Sequence, residues 1–146
     1  MNTTKRVLIF ISMLFAAQIA LAGQHQDVMT LAKRQADTSM TVTSVNLGQD
    51  QTAITATGDM GAYGKVYVTY NLTYDTGRKS GSVTGQGRGA TAEGIASGVF
   101  AGRWYLDGSK VTMRNVVQIN DGSQNLDVVT FDAENNTLTI EVYILK

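Results

Sequence analysis

Few side chains in this sequence could do chemistry, and they are thinly spread. His25 is the only histidine, and there is no cysteine. That excludes a His-based triad, a multi-histidine or cysteine metal site, a thiolate nucleophile and disulfide bonds. The only glutamates are Glu93, Glu134 and Glu141. Glu141 falls between Ile140 and Val142, so it points away from the apolar face of Leu138, Ile140, Val142 and Ile144. It reads as a solvated charge, with a catalytic carboxylate inside the fold as the sharper alternative. Amides and aromatic rings remain. Asn115 stands in register with Val111, Met113, Val117 and Ile119. An amide buried on such a face needs hydrogen-bond partners, either a structural network or a bound ligand.

Tyr70 and Tyr74 share a face with Val66, Val68 and Leu72, and each adds a hydroxyl to it. Phe100 and Trp104 share a face with Gly94, Gly98 and Gly102, where rings fill the space above strand glycines. Tyr70, Tyr74, Asn115, Trp104 and Phe100 are therefore the candidate ligand-binding residues, with core packing as the alternative role of each. No catalytic residue is singled out, and neither a metal nor a cofactor is expected. Gly85-Gln86-Gly87-Arg88-Gly89 resembles a phosphate loop only in composition, because no helical pattern follows it. Arg88, Arg103 and Arg114 read as a solvated face, with an acidic head group as their alternative partner.

The elements that must position these residues are strands. From Val66 to Tyr74 apolar side chains recur at every second position, the pattern of a half-buried antiparallel strand. The next segment carries Gly81, Gly85, Gly87 and Gly89 on the face of Val83, which marks coiling or close approach by another group. Strands are expected at about 39–47, 51–58, 64–74, 79–88, 93–106, 109–119, 124–132 and 137–145. Asp107-Gly108 and Asp121-Gly122 are two-residue hairpin signals. No connection is long enough for a crossover helix, so neighbours should pair antiparallel. Eight hairpin-linked strands lose both exposed edges by closing the first onto the last. The expected fold is all-β, an eight-stranded antiparallel up-and-down barrel over 39–146, with a two-sheet sandwich as the alternative. An outer-membrane barrel is disfavoured because Lys110, Arg114, Gln118 and Glu141 face outward without aromatic girdles.

Ahead of the barrel the sequence is organised for export. Lys5 and Arg6 precede the apolar run from Val7 to Ile19, and Ala20-Leu21-Ala22 ends it with small residues. Residues 1–22 are thus expected to be a cleaved signal peptide, cut near Ala22–Gly23. The run is short for a spanning helix, so no stable membrane insertion is expected after cleavage. Residues 23–38 form a lead-in. Within it Gln24 to Asp37 is the only candidate helix, able to cover one end of the barrel. The whole chain has 12 basic and 12 acidic residues, and removing Lys5 and Arg6 leaves 10 basic against 12 acidic. No strong field favours nucleic acid. Export without cysteine suits a bacterial periplasm or exterior.

The run GDMGAYGKVYV, with LTYD and SVTGQGRGATAEG after it, resembles the turn, strand pair and glycine cluster of the allene oxide cyclase family. The resemblance covers about residues 57–94. It implies an eight-stranded antiparallel barrel related to the dirigent proteins, without metal or organic cofactor, commonly assembled as a trimer. It also implies a hydrophobic ligand inside the barrel. The chain lacks proline and cysteine, and none of the family's ligand-positioning residues is carried over onto it.

Three functions fit these observations. One is an exported barrel binding a small hydrophobic or amphipathic ligand. The second is a structural or interaction protein with a filled barrel. The third is a cofactor-free isomerase or cyclase. A filled interior selects the second, and an apolar cavity with convergent polar groups selects the first or third. A buried carboxylate or tyrosine beside that cavity favours the third. The export reading has its own check. Mass measurement of the exported protein should find an N-terminus at or next to Gly23; an intact N-terminus held in the membrane would contradict it.

Overall fold

The computed structural model describes residues 30–146, so the expected signal peptide, His25 and the first half of the candidate helix lie outside the described residues. Eight strands follow one another: β1 (Thr38–Leu47), β2 (Gln51–Asp59), β3 (Lys65–Thr73), β4 (Ser80–Thr91), β5 (Gly94–Asp107), β6 (Lys110–Ile119), β7 (Gln124–Asp132) and β8 (Thr137–Ile144). Each pairs antiparallel with its neighbour in sequence, and β1 pairs with β8 to close the barrel. The sandwich is thereby ruled out for the described chain.

Closure follows from the alternation of side chains. Met40, Ile54, Val68, Tyr70, Leu72, Val83, Met113, Val129, Leu138, Ile140 and Val142 all point inward and are buried in one core. The residues between them are mostly polar and face out. Strand residues alternate between the inside and outside of a closed sheet, so one phase of each strand belongs wholly to the core.

Two connections differ from expectation. The two-residue turn read at Asp107-Gly108 is present but one residue later, formed by Gly108 and Ser109, with Gly108 at φ 59°. The β6–β7 connection is instead four residues long, Asn120 to Ser123. Asp121 Oδ1 accepts hydrogen bonds from the backbone N–H and hydroxyl of Ser123 there, at 2.8 and 2.7 Å. The side chain thus closes the turn locally, as aspartate commonly does.

The lead-in also departs from expectation. Residues 30–37 contain no helix. They run along β8 instead: Arg34 N donates to Val142 O at 2.8 Å, Ile144 N donates to Ala32 O at 2.9 Å, and Lys33 bridges to Tyr143. The apolar stripe of this segment is too thin to hold a helix against the barrel, whereas the free edge of β8 beyond β1 offers backbone partners at once.

The barrel has two distinct ends. One carries the β2–β3, β4–β5 and β6–β7 connections together with the lead-in. The other carries the remaining four hairpins. Between β4 and β5 the glycines are matched in an informative way. Gly81 lies opposite Trp104 and Gly85 opposite Phe100, so an aromatic ring covers each. Gly87 lies opposite Gly98, and neither has a side chain to fill the space.

That difference is measurable. A Cβ at Gly85 would stand 2.1 Å from the Thr69 carbonyl oxygen and 2.4 Å from Phe100 Cζ. At Gly87 the nearest atoms would be 3.6 Å away, an ordinary contact. Gly85→Ala should therefore cost about 1–3 kcal/mol, as overpacking does. Gly87→Ala should be neutral, or stabilise by roughly 0.4–1 kcal/mol through the unfolded chain. Urea denaturation of both variants checks this, and equal losses would contradict the packing described.

Candidate functional site

The unmatched Gly87–Gly98 pair borders a cavity of about 60 Å³ inside the barrel, toward the lead-in end. Its walls are largely apolar: Met40, Val66, Val68, Val117, Ile119 and Ile140, with the rings of Tyr70 and Phe100. Those two rings pack at 5.0 Å between centroids, tilted by 42°. Into this apolar space project Asn115 from β6 and Asp127 from β7, directly opposite each other across the strand pair.

Both side chains are nearly sealed from solvent, Asn115 at 1% exposure and Asp127 at 8%. Among the described residues, three buried side-chain oxygens have no hydrogen-bond partner: Asn115 Oδ1, Asp127 Oδ1 and Gln35 Oε1. Two of the three thus belong to side chains lining this cavity. An unpaired buried acceptor costs roughly 1–3 kcal/mol. Burial pushes the Asp127 carboxyl up to about 7, with the Arg34 guanidinium pulling the other way. The Tyr70 phenol is pushed well above its ordinary range, first by burial and then by the charge of Asp127.

The lead-in completes this end. Arg34 Nε donates to Asn125 Oδ1 at 2.6 Å, and Arg34 Nη2 donates to the Lys146 carbonyl at 3.0 Å. Asn125, itself 1% exposed, passes the chain on by donating from Nδ2 to the Tyr63 hydroxyl at 3.0 Å. Arg34, Asn125 and Tyr63 so form a polar strap linking the lead-in, β7 and the β2–β3 connection, with Tyr63 and Asn125 at the cavity wall.

Of the five candidates read from sequence, Tyr70, Phe100 and Asn115 come together at the cavity. Tyr74 and Trp104 do not line it; they finish the opposite end. Trp104 Nε1 donates to the Thr73 carbonyl at 2.7 Å, and the two rings meet edge to face at 6.0 Å. The Tyr74 hydroxyl bonds to that of Thr52, and the Arg78 guanidinium lies 4.0 Å over the Tyr74 ring. Glu141 faces outward, accepting from the Tyr143 hydroxyl at 2.6 Å with Lys33 at 3.3 Å. Arg103 pairs with Asp75 on the outside, and Arg114 lies 6.0 Å over the Tyr105 ring. Among the described residues no group of three histidine, cysteine, aspartate or glutamate side chains could hold a metal ion.

Sequence reasoning missed Asp127, Asn125 and Arg34. The first two had a usable signal. Asn125, Asp127, Val129 and Phe131 share one phase of β7, and Asp127 pairs with Asn115, whose inward phase is unambiguous. The arrangement can do two things chemically. It can exchange hydrogen bonds with a polar group within an apolar shell, the Asn115 amide as donor or acceptor, and Asp127 can take up or release a proton near neutral pH.

A carboxyl raised by burial holds its proton in the folded state at pH values where the unfolded chain has lost it. Asp127 therefore favours folding at low pH, and that contribution disappears as pH rises from about 4 to about 7. The charged and titratable groups facing it are Arg34 and Tyr70. Wild type should lose roughly 2–3 kcal/mol of stability between pH 5 and pH 8. Asp127→Asn should show a much flatter profile by urea denaturation, and identical slopes in the two proteins would refute the assignment.

Compared with known proteins, the chain matches no protein-family model, no curated protein and no solved structure.

Proposed function

We propose that this protein is an exported barrel that holds one small, largely apolar ligand in the cavity, with Asn115 and Asp127 as its polar contacts. The observation that carries this reading is the pair of buried polar side chains, Asn115 and Asp127, that line an otherwise largely apolar space. A barrel whose interior served packing alone would gain stability from apolar side chains at both positions. A ligand that hydrogen-bonds to Asn115 and Asp127 offsets part of what burying them costs. The cavity volume of about 60 Å³ restricts the guest to a few heavy atoms unless the strap at the lead-in end moves.

Export to a periplasm or exterior is part of the same proposal, supported by the order of charged, apolar and small residues before Gly23. The closed eight-stranded antiparallel barrel is the architecture implied by the likeness of residues 57–94 to the allene oxide cyclases and dirigent proteins. That likeness supports membership of the same barrel superfamily and, with it, a homo-oligomer, most simply a trimer.

Asp127 beside Tyr70 favours a second reading, a cofactor-free isomerase or cyclase in which Asp127 moves a proton of the bound molecule. One NMR experiment separates the readings. Xenon and 1-propanol should give saturable shifts at Tyr70, Asn115 and Asp127 in wild type, and none in Gly87→Leu, whose side chain fills the space. A folded wild type whose cavity residues respond to neither probe would remove the ligand-binding reading. Acetone in D2O addresses the second: α-deuteration faster than buffer, and lost in Asp127→Asn, would select the isomerase.

A further inference from the structure

The hairpin end of the barrel is not closed all the way round. β1 pairs with β2 as far as Leu47, but with β8 only from Thr38 to Thr41. A register shift between Val42 and Ser44 follows the last β8 pair, as a bulge does where pairing stops. Beyond it Ser44 to Leu47 pair with Thr55 to Thr52 in unbroken register. No described backbone group bonds across the other edge of these residues. Val45 and Leu47 lie opposite Ile54 and Thr52, which are buried, so they belong to the inward phase. They are nevertheless 40% and 82% exposed, because β8 does not extend beside them. Native sheets blunt a free edge with lysine, proline or a covering segment. The run from Thr38 to Gln49 has no charge and no proline. The described ends of the chain lie elsewhere: Arg34 bonds to Val142, Ala32 to Ile144 and Leu145 to Gln124, all at the lead-in end.

We infer that this free edge of β1 is the contact with a second copy of the chain, the two β1 strands pairing antiparallel across a two-fold axis. The inference rests on the homo-oligomer reading above and names its interface. The edge is complementary to itself. A two-fold axis normal to the sheet sets residues of equal parity opposite one another. With the axis at Asn46, Val45 of each copy meets Leu47 of the other, and Ser44 meets Gly48. The two exposed apolar side chains then cover each other, and like charges are not apposed because the run carries none. Backbone N–H and C=O groups of alternate residues along each edge become partners. Such a contact uses up both edges and stops at two copies. Joined to a three-fold contact elsewhere on the barrel, it would build a hexamer.

The chain has no cysteine, so a single introduced thiol reports the contact directly. Directly opposed Cα atoms of an antiparallel pair stand about 4.5–5.5 Å apart, within disulfide reach. Asn46→Cys should therefore form a covalent dimer under mild oxidation. Ala92→Cys, exposed in the β4–β5 turn at the other end, should not. Native mass spectrometry of the mature wild type should find an even number of subunits. Leu47→Lys, at a side chain already in water, should halve that number while circular dichroism stays unchanged. A wild-type trimer, or an assembly that survives Leu47→Lys intact, would overturn the edge contact and leave the homo-oligomer reading standing. Equal cross-linking of the two thiols would overturn the edge contact as well. A monomeric wild type would overturn both.

Discussion

The seam between β1 and β8 is the constraint on which everything else rests. It is short: Thr38 to Thr41 pair with Ile140 to Thr137, and the lead-in adds only the Lys33–Tyr143 bridge beyond a bend. Without it the sheet would have two free edges and a single wet apolar face. With it each strand acquires an inside and an outside, and each side chain is assigned to one by parity alone. Val142 and Leu138 become fully buried on the same strand whose Thr137 and Thr139 face water. The seam also explains why the lead-in is extended. β8 runs on past the start of β1, and its unpaired backbone groups there take Ala32 and Arg34 as partners. Pairing that edge in turn delivers Arg34 to the end of the barrel, where it meets Asn125.

Parity has a cost when a polar residue occupies an inward position. Asn115 and Asp127 cannot turn outward without shifting the register of β6 against β7, which would expose Met113 and Val129. They are held inside by the apolar residues on either side of them. The strain of that placement is electrostatic. Neither oxygen has a donor, and the nearest cation already has two acceptors of its own. The desolvation of both side chains is a cost of folding that the apolar residues around them offset.

The strands were legible in the sequence because alternation of β-branched and aromatic residues with polar ones survives in nearly every one of them. The segment from Val66 to Leu72 is the clearest case, and its inward phase is the one read from the pattern. The turn after Asp107 was legible for the same kind of local reason. The candidate site was legible only in part. Tyr70, Phe100 and Asn115 were visible because each interrupts or decorates a clean apolar phase. Asp127 was not, because β7 has no clean phase: Leu126 and Val128 compete with Val129 and Phe131, and the sequence of β7 alone does not say which pair is inside. Only pairing with Asn115 resolves it. Arg34 was invisible for a different reason. Its role depends on where the end of β8 lies, a long-range fact that helical periodicity in residues 24–37 could not contain. Tyr74 and Trp104 were drawn toward the site by parity, which fixes inside against outside but not one end against the other.

The two ends of the barrel show what that missing coordinate means. At the hairpin end three large polar groups have partners: the indole on the Thr73 carbonyl, the Tyr74 hydroxyl on Thr52, and the Arg78 guanidinium on the Tyr74 ring. Trp104 lies over Gly81, so the glycine costs no space there. Moving along β4 toward the lead-in end, Phe100 covers Gly85, and then the coverage stops at Gly87 and Gly98. One aromatic pair further would have filled the barrel. The unfilled glycine pair and the side chains of Asn115 and Asp127 thus line the same space. Poor packing by itself would leave a dry void, and poor polar placement by itself would leave an acceptor facing hydrocarbon. Here the two coincide, whereas at the hairpin end Trp104 and Tyr74 have partners and Gly81 is covered.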